Sequence, residues 1–348
     1  MQTAHEVVVG DARELSTVAD DSIELVVTSP PYPMIELWDD TFTDLDSAVG
    51  SALDAGDGRA AFERMHACLD AVWAEVDRVL VDGGIACINI GDATRTTDGL
   101  FRMYPNHVRV SEAFLELDFV ALPPVRWRKP TNRGTKFMGS GMLPPNAYVT
   151  LEHEHVLIYR NGDGRTLDAG DEARYESAYF WEERNGWFSD LWTDVAGETQ
   201  ALAGEARARS GAFPLAVPYR LIHMYSVQGD TVLDPFAGTG TTSVAAMAGA
   251  RNSIAYEIDP QLGERISERL GQAGGIGRDW AERRLRNHRA FVEDRRAAGE
   301  DLAYEATHYD FPVMTRQERD IRLYAVSDIE RRDGEVIASH EPVAGLDE

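Results

Sequence analysis

The sequence predicts an α/β protein whose core is a doubly wound, mostly parallel sheet. Apolar, β-branched runs of buried-strand length alternate along the chain with segments of helical periodicity, which is the pattern of open parallel sheets. The predicted strands are EVVVGD from residue 6, IELVVT from 23, IACINI from 85, HVLIY from 155, VLDPF from 232 and SIAYEID from 253.

Local signals set the limits of these elements. Pro30 and Pro31 end the second strand, because proline has no N–H to donate to a neighbouring strand. Residues 60 to 80 carry apolar side chains at three- and four-residue spacings, so an amphipathic helix is predicted there, closed by Gly83 and Gly84. Further helical stretches are predicted from Thr241 and from Gln261.

The other segments are predicted to lie outside this framework. Two Gly- and Asp-rich stretches, 39 to 58 and 161 to 175, are expected to be loops. The division that we predict is a catalytic domain at 1 to 275, segments inserted into it at about 126 to 150 and 161 to 190, and a charged C-terminal extension of uncertain structure at 276 to 348.

The charge balance needs an explanation of its own. The chain has 59 acidic against 34 basic residues, and its only lysines are Lys129 and Lys136. Acidic residues spread over the whole length, with arginine in place of lysine, resemble the proteins of salt-loving archaea. Because the Debye length falls to about 3 Å in molar salt, self-repulsion is screened there. The charge therefore indicates a saline habitat and does not exclude an anionic partner.

Composition also bounds the location and the metal chemistry. There is no apolar run of membrane-spanning length and no secretory signal at the N-terminus, so we expect a soluble cytoplasmic protein. Cys68 and Cys87 lack disulfide or metal-ligand spacing and are expected to be buried. His153 and His155 share a strand face, but with no third ligand in view we predict no metal site.

One window of the chain contrasts with the acidic remainder. No acidic residue occurs between Asp118 and Glu152. The window also contains Gly, Pro, Ser, Thr and Asn, which suit a loop that contacts phosphates and base edges. It predicts a nucleic-acid face, although a polar loop without function would look similar. Its basic residues are Arg126, Arg128, Lys129, Arg133 and Lys136.

A glycine-rich turn follows the predicted strand at 232 to 236. The turn and the helix start after it direct backbone N–H groups at a ligand. A P-loop would need lysine after Gly240, and a dinucleotide fingerprint would need glycine at Ser243. Glu257 ends the next strand, where it can bind ribose hydroxyls. A nucleoside with a small anionic arm fits, such as S-adenosylmethionine; a purely structural turn is the alternative.

The segment Thr28-Ser29-Pro30-Pro31-Tyr32 emerges at the carboxyl edge of the sheet, where open α/β folds place their chemistry. Two prolines stiffen the backbone and aim the Pro30 carbonyl and the Ser29 hydroxyl at one point. Tyr32 offers a flat face for stacking. These features indicate a planar ring bearing an amine as the target.

With both motifs identified, the chain resembles the DNA amino-methyltransferases in the β arrangement, in which the catalytic motif precedes the cofactor motif. The likeness covers about residues 5 to 270 and includes GDARE from 10, WRKP from 127, HEHVLIY from 153 and FPLAVPYRLI from 213. It implies the Rossmann-like fold of methyltransferases, S-adenosylmethionine as methyl donor and double-stranded DNA as substrate. The inserted segments at about 126 to 150 and 161 to 190 are then the candidates for recognition of the DNA target.

The resemblance also implies roles for individual residues. Ser29 and the Pro30 carbonyl would hold the amino hydrogens, Pro31 would stiffen the loop, and Tyr32 would stack on a base flipped out of the duplex. The cofactor residues that it implies are Asp11 on the adenine side, Glu257 on the ribose, Phe236, Gly238, Gly240 and Thr241 along the methionine part, and Thr28 and Asp234 beside them.

In this family Ser-Pro-Pro-Tyr usually accompanies N4 of cytosine, whereas Asp- or Asn-Pro-Pro-Tyr usually accompanies N6 of adenine. We therefore predict cytosine-N4 methylation, with adenine-N6 methylation as the alternative. Methylation at cytosine C5 is excluded, because neither Cys68 nor Cys87 has a Pro-Cys context. Structured RNA as substrate, and a silent nucleic-acid binder, rank lower.

The sequence as a whole, including TSPPYPMIELWDD from residue 28, is similar to the sequences of haloarchaeal modification methylases for the palindrome CTAG. That target is an expectation from resemblance only. The sequence leaves open whether a restriction endonuclease accompanies the enzyme, and whether the chain acts as a monomer or a homodimer.

Overall fold

A ten-stranded sheet forms the centre of the computed structural model, which describes residues 1–129, 138–195, 213–332 and 334–345. The strands are β1 (Gln2–Val9), β2 (Ile23–Thr28), β3 (Leu80–Ile90), β4 (Ala93–Thr97), β5 (Leu100–Tyr104), β6 (Val120–Arg128), β7 (Met138–Gly139), β8 (Ala147–Tyr148), β9 (His153–Arg160), β10 (Leu191–Trp192), β11 (Thr231–Asp234), β12 (Asn252–Glu257), β13 (Tyr304–Glu305), β14 (Pro312–Val313), β15 (Tyr324–Arg332) and β16 (Glu335–Pro342).

Helices cover both faces of this sheet. They are α1 (Asp39–Leu45), α2 (Ser47–Asp54), α3 (Gly58–Val79), α4 (Asn106–Glu116), α5 (Glu172–Glu176), α6 (Trp181–Trp187), α7 (Ala216–Tyr225), α8 (Thr241–Ala248), α9 (Pro260–Gly271) and α10 (Gly274–Ala297), with short 3-10 turns at Glu36–Trp38 and Arg316–Glu318. None of the helices in these described ranges is long and apolar enough to cross a membrane.

The strand order is β10-β6-β9-β3-β2-β11-β12-β1-β16-β15. The five central strands from β3 to β1 all run parallel, whereas β9 and β16 join them antiparallel. The predicted doubly wound, mostly parallel sheet is thus confirmed. The chain winds outward in opposite directions from β2 and β11, so the carboxyl ends of these two neighbours flank the crevice where such folds bind ligands.

Apolar side chains fill a layer on each face of the sheet. Trp73 of α3 and Phe114 of α4 are fully buried on one face. Val217 of α7 and Val244 of α8 are fully buried on the other. The strands between these layers read as continuous apolar runs because both of their faces are covered. Both cysteines are free and buried, as predicted.

The expectation of a loop at 39 to 58 is wrong. The aspartates in this stretch begin helices, because an aspartate at the N-cap accepts a hydrogen bond from an otherwise unpaired backbone N–H. Asp46 accepts from the Ala48 N–H at 3.0 Å and so caps α2. Asp57 accepts from the Ala60 N–H at 3.0 Å and caps α3. The same composition that suggests a loop therefore marks helix starts.

The C-terminal part is continuous with the sheet. Residue 275, the predicted domain limit, falls in the first turn of α10, and β16 pairs antiparallel with β1. Phe180, from the segment at 161 to 190, is fully buried in an apolar cluster with residues of α10 and of the C-terminal strands. Beside it, Arg284 of α10 forms a buried ion pair of 2.6 Å with Glu183. The buried side chains of this segment thus pack against the C-terminal part of the chain.

Candidate active site

The two loops singled out from the sequence leave adjacent strands. β2 and β11 are parallel neighbours, so their carboxyl ends lie side by side. Thr28 Oγ1 donates a hydrogen bond of 2.6 Å to Asp234, both side chains being buried. This bond ties the Ser29 to Tyr32 loop directly to the glycine turn. The fold therefore brings the predicted catalytic and cofactor segments together.

The glycine turn has the conformation that its sequence indicates. Gly238 and Gly240 have φ values of 54° and 74°, in the left-handed region that glycine adopts without strain. A Cβ at Gly240 would lie 2.6 Å from Cγ2 of Ile266, whereas a Cβ at Gly238 would meet only the Phe236 carbonyl oxygen, at 4.0 Å. Gly240 is thus required for packing, and Gly238 leaves room for a ligand.

Glu257 closes the turn from the end of β12. Its carboxylate accepts hydrogen bonds from the N–H of Gly238 at 2.7 Å and from the N–H of Asp259 at 3.0 Å. Burial raises the pKa of Glu257, and burial raises the pKa of Asp234 from 3.8 to about 6. In the described ranges neither carboxylate forms a salt bridge. A ligand with hydroxyl groups and positive charge suits these two groups.

The other predicted cofactor residues surround the turn. Phe236 packs edge-on against Trp73, with ring centroids 5.9 Å apart. The Thr241 hydroxyl accepts a hydrogen bond of 3.1 Å from Arg269 of α9, and the same guanidinium nitrogen donates to the carbonyl oxygen of Thr239 in the turn at 2.9 Å. Asp11 follows β1 and forms an ion pair of 2.6 Å with Arg13 at the surface.

The catalytic loop lies in a network of side chains. Tyr32 donates a hydrogen bond of 3.0 Å to the buried carboxylate of Glu154 and lies 3.0 Å from the Ser29 hydroxyl. Asn89 Nδ2 donates to Glu154 at 2.8 Å and to the Tyr32 oxygen at 2.9 Å. Lys129 completes the network with an ion pair to the same carboxylate.

Sheet order explains why these groups meet. Asn89 ends β3, Glu154 begins the antiparallel neighbour β9, and Lys129 directly follows β6 on the far side of β9. Gly91 allows the Tyr32 ring to approach, because a Cβ there would lie 3.0 Å from Cε2 of Tyr32. Burial, followed by the charge of Glu154, raises the pKa of Tyr32 well above its usual value, so its hydroxyl remains a donor at neutral pH.

Asn89 and Glu154 were missed from the sequence. Both carry a signal that could have identified them: a polar side chain in the buried run IACINI, and a charged one at the start of the buried run EHVLIY. A buried polar group in such a strand needs partners, and at the carboxyl edge of the sheet those partners are functional groups.

A histidine cluster lies beside the network. Asp92 accepts hydrogen bonds from His107 Nδ1 at 2.8 and 2.9 Å. The His107 and His155 rings are stacked, with centroids 4.0 Å apart and planes 9° apart. Burial, then the nearby His107, lowers the pKa of His155 to about 4. Although these three residues have suitable ligand atoms, parallel stacked rings direct their nitrogens along parallel planes and not at one ion.

The predicted DNA-binding residues lie on β6 and in the part of the chain that follows it. Arg126 and Arg128 are exposed on β6, where they neighbour His155 and His153 of β9. Arg128 forms an exposed ion pair of 3.1 Å with Glu152. Lys129 turns inward to Glu154, so it belongs to the side-chain network around Tyr32. Arg133 and Lys136 lie outside the described residues.

Fold and site together define a class of protein. A doubly wound sheet with a glycine turn, an acidic residue ending the next strand and a Ser-Pro-Pro-Tyr loop on the neighbouring strand is the arrangement of S-adenosylmethionine-dependent amino-methyltransferases. The family model described as DNA methylase, covering N6 and N4 enzymes, matches residues 23–268. The chain belongs to this family, and S-adenosylmethionine is its methyl donor.

Individual proteins agree with this assignment. The chain is 47% identical over 328 residues to the type II methyltransferase M.MthZI of Methanothermobacter thermautotrophicus, covering 93% of this chain and 91% of that one. A DNA modification methylase of Thermus thermophilus, solved with S-adenosyl-L-methionine, is 31% identical with a TM-score of 0.59, covering 77% of this chain and 94% of that one. The PvuII DNA methyltransferase, cytosine-N4-specific, shares the fold at 17% identity and a TM-score of 0.53 over 76% of this chain and 86% of that one.

Proposed function

We propose that this DNA methyltransferase transfers the methyl group to the exocyclic N4 of cytosine. The observation that carries the proposal is the Ser29 hydroxyl, half-buried at the carboxyl end of β2 and joined through Thr28 and Asp234 to the cofactor turn. A serine at this position goes with cytosine N4 in the family that the chain resembles, where adenine-N6 enzymes usually have aspartate or asparagine.

The chemistry follows from the nature of the amine. The lone pair of an aromatic amine is delocalised into the ring, so the nitrogen is a poor nucleophile. Hydrogen bonds from the amino group to Ser29 Oγ and to the Pro30 carbonyl favour a pyramidal nitrogen and stabilise the positive charge that develops during transfer. Pro31 keeps both acceptors aimed at one point. S-adenosylmethionine supplies the electrophilic methyl group, so no covalent enzyme intermediate is needed.

The target base is proposed to leave the duplex before reaction. Extrusion costs a few kcal/mol of unstacking, and stacking on the Tyr32 ring offsets part of that cost. We assign the duplex contacts to Arg126 and Arg128, together with the basic residues Arg133 and Lys136. In concentrated salt the counterion-release contribution shrinks, so stacking and base-edge hydrogen bonds must supply more of the affinity.

The site is proposed to be a short palindrome, with CTAG as the candidate that the resemblance suggests. A palindrome lets a monomer treat each strand in turn, and a homodimer could treat both. The M.MthZI relative is a type II methyltransferase, which supports a modification role for this chain, with a partner endonuclease or without one.

Product analysis tests the proposal. The protein is incubated in molar potassium chloride with duplex DNA and labelled S-adenosylmethionine, and the DNA is digested to nucleosides that are identified by mass. We expect N4-methylcytosine, with the modified positions mapping to one short palindrome. N6-methyladenine would overturn the base assignment while keeping the reaction class, and label in RNA alone would overturn the substrate.

A further inference from the structure

Hydrogen-bond directions in the catalytic network can be deduced from the donors that each group has. Asn89 Nδ2 has two hydrogens, and its nitrogen lies 2.8 Å from a Glu154 oxygen, 2.9 Å from the Tyr32 oxygen and, at the longest distance, 3.4 Å from Ser29 Oγ. The reverse amide orientation would set its oxygen against the carboxylate, acceptor against acceptor. Lys129 Nζ also donates to Glu154. With the Tyr32 hydroxyl, which donates at 3.0 Å, three donors converge on Glu154, an arrangement that fits an acceptor-only carboxylate.

This arrangement fixes the direction of the remaining bond. Tyr32 has a single hydroxyl hydrogen, and it is donated to Glu154 at 3.0 Å. In the 3.0 Å contact between Ser29 and Tyr32, the tyrosine oxygen must accept, so Ser29 donates. The Ser29 hydrogen is thus committed to Tyr32, and of the two lone pairs on Ser29 Oγ one faces the Asn89 amide nitrogen at 3.4 Å, which leaves the other to accept an amino hydrogen.

We propose that Glu154 is a positioning residue for methyl transfer: through Tyr32 it holds Ser29 as a hydrogen-bond acceptor, and it receives the proton that the methylated amine releases. The inference rests on the proposed function only in taking Ser29 as the acceptor of the amino hydrogens. It applies to either exocyclic amine.

The proton step balances along the network. The amine lone pair forms the N–CH₃ bond as the CH₃–S bond breaks, and the sulfur keeps that electron pair. The cationic amine then gives one proton to Ser29 Oγ, the Ser29 proton passes to the Tyr32 oxygen, and the Tyr32 proton passes to Glu154. The products are a neutral methylamino base, a neutral sulfide and a protonated Glu154, which returns its proton to water after release.

Two isosteric substitutions test the proposal. Glu154→Gln keeps the shape of the side chain but removes its charge, and Tyr32→Phe keeps the ring for stacking but breaks the chain of hydroxyls. Single-turnover methyl transfer to duplex DNA should fall about 100-fold in each, at the lower end of the range for the loss of a proton-transfer group. Dissociation constants for S-adenosylmethionine and DNA, and the Tm, should stay near wild type. The double variant should be no slower than the slower single variant, because both act through one path.

The controls are Glu116→Gln on α4 and Tyr304→Phe on β13, which change exposed side chains by the same chemistry. Full activity in Tyr32→Phe would overturn the proposal, as would losses that multiply in the double variant. If Glu154→Gln does not fold, Tyr32→Phe still decides, because it leaves Glu154 with Asn89 and Lys129. The wild-type product is identified separately by mass, so a wrong base assignment is distinguished from a wrong role for Glu154.

Discussion

The two halves of the crevice are built differently. The cofactor half, at the ends of β11 and β12, uses backbone groups. Its turn is held in place because the backbone N–H of Gly238 donates a hydrogen bond to the Glu257 carboxylate. The target half, at the ends of β2, β3 and β9, uses side chains from separate strands, with Asn89 and Tyr32 both donating to Glu154. A turn held by its backbone can be recognised in a short motif, whereas a side-chain network depends on the order of the strands.

The halves also differ in charge. Asp234 and Glu257 in the cofactor half are buried, and burial raises the pKa of both carboxyl groups. Neither forms a salt bridge in the described ranges. Glu154 in the target half has Lys129 beside it. The first half is therefore suited to a ligand that brings positive charge, and the second to a neutral base whose amine becomes charged only during transfer.

The largest expected effect separates the halves by function. Ser29→Ala removes an acceptor of the amino hydrogens, and methyl transfer should fall about 10²- to 10³-fold, the scale for losing one group that stabilises developing charge. S-adenosylmethionine binding should stay unchanged, because Ser29 contributes to the target half only. Single-turnover kinetics and calorimetric titration of the cofactor measure the two quantities.

The counterpart for that test is Glu257→Gln in the cofactor half. It should weaken S-adenosylmethionine about 10- to 100-fold, as expected for losing hydrogen bonds to a charged acceptor, while DNA binding persists. If Ser29→Ala weakened the cofactor as much as Glu257→Gln does, the two halves would not be separable, and the assignment of Ser29 to the amine would be wrong.

The sequence predicts the cofactor half and the catalytic loop because both are local. Residues 232 to 242 hold a strand, a turn and a helix start in eleven consecutive positions, and the double proline ends β2 where it must. Asn89 and Glu154 lie 65 positions apart. They meet only because β9 inserts antiparallel beside β3, a pairing that no local signal encodes.

The C-terminal strands show the same limit at longer range. β16 adds to the sheet beside β1, and the backbone N–H of His340 donates to the carbonyl of Met1 at 2.8 Å. In their shared interior the Thr3 hydroxyl contacts both His5 at 2.9 Å and His340 at 2.8 Å. The contacts of Met1 and Thr3 with His340 span almost the whole chain, so the charged composition of 276 to 348 could not indicate that part of it completes the sheet.

A smaller effect tests the charge of the cofactor half through stability. Folding raises the pKa of Asp234 from 3.8 to about 6. The ionisation of Asp234 therefore destabilises the folded protein by an amount that grows from pH 4 to pH 6 and is constant at higher pH. Asp234→Asn keeps acceptors for Thr28 and for the Phe236 N–H. It should stabilise the cofactor-free protein at pH 7 by about 2 to 3 kcal/mol as an upper bound, and by little at pH 4.

Denaturant unfolding of both proteins at pH 4, 5, 6 and 7 measures the difference in their free energies of unfolding. Because the other titrating groups are the same in both proteins, their contributions cancel in this difference. A difference that stays constant with pH would contradict the role of the Asp234 charge. Added S-adenosylmethionine should narrow the gap at pH 7, because its positive charge favours the ionised aspartate of the wild type.

The smallest effect concerns the outer rim of the target half. Arg126 is exposed on β6 and has no ion pair among the described residues, so its charge is available to a phosphate. Arg126→Ala should lower the slope of log K against log salt by about 1 and weaken duplex binding several-fold in dilute salt. In molar potassium chloride the two proteins should bind duplex DNA with the same affinity.

Fluorescence anisotropy across a salt series measures the affinity and its salt slope, with Arg286→Ala on the outer face of α10 as control. A loss that persists unchanged in molar salt would mean that Arg126 reads a base edge, which would extend the specificity of the target half onto β6.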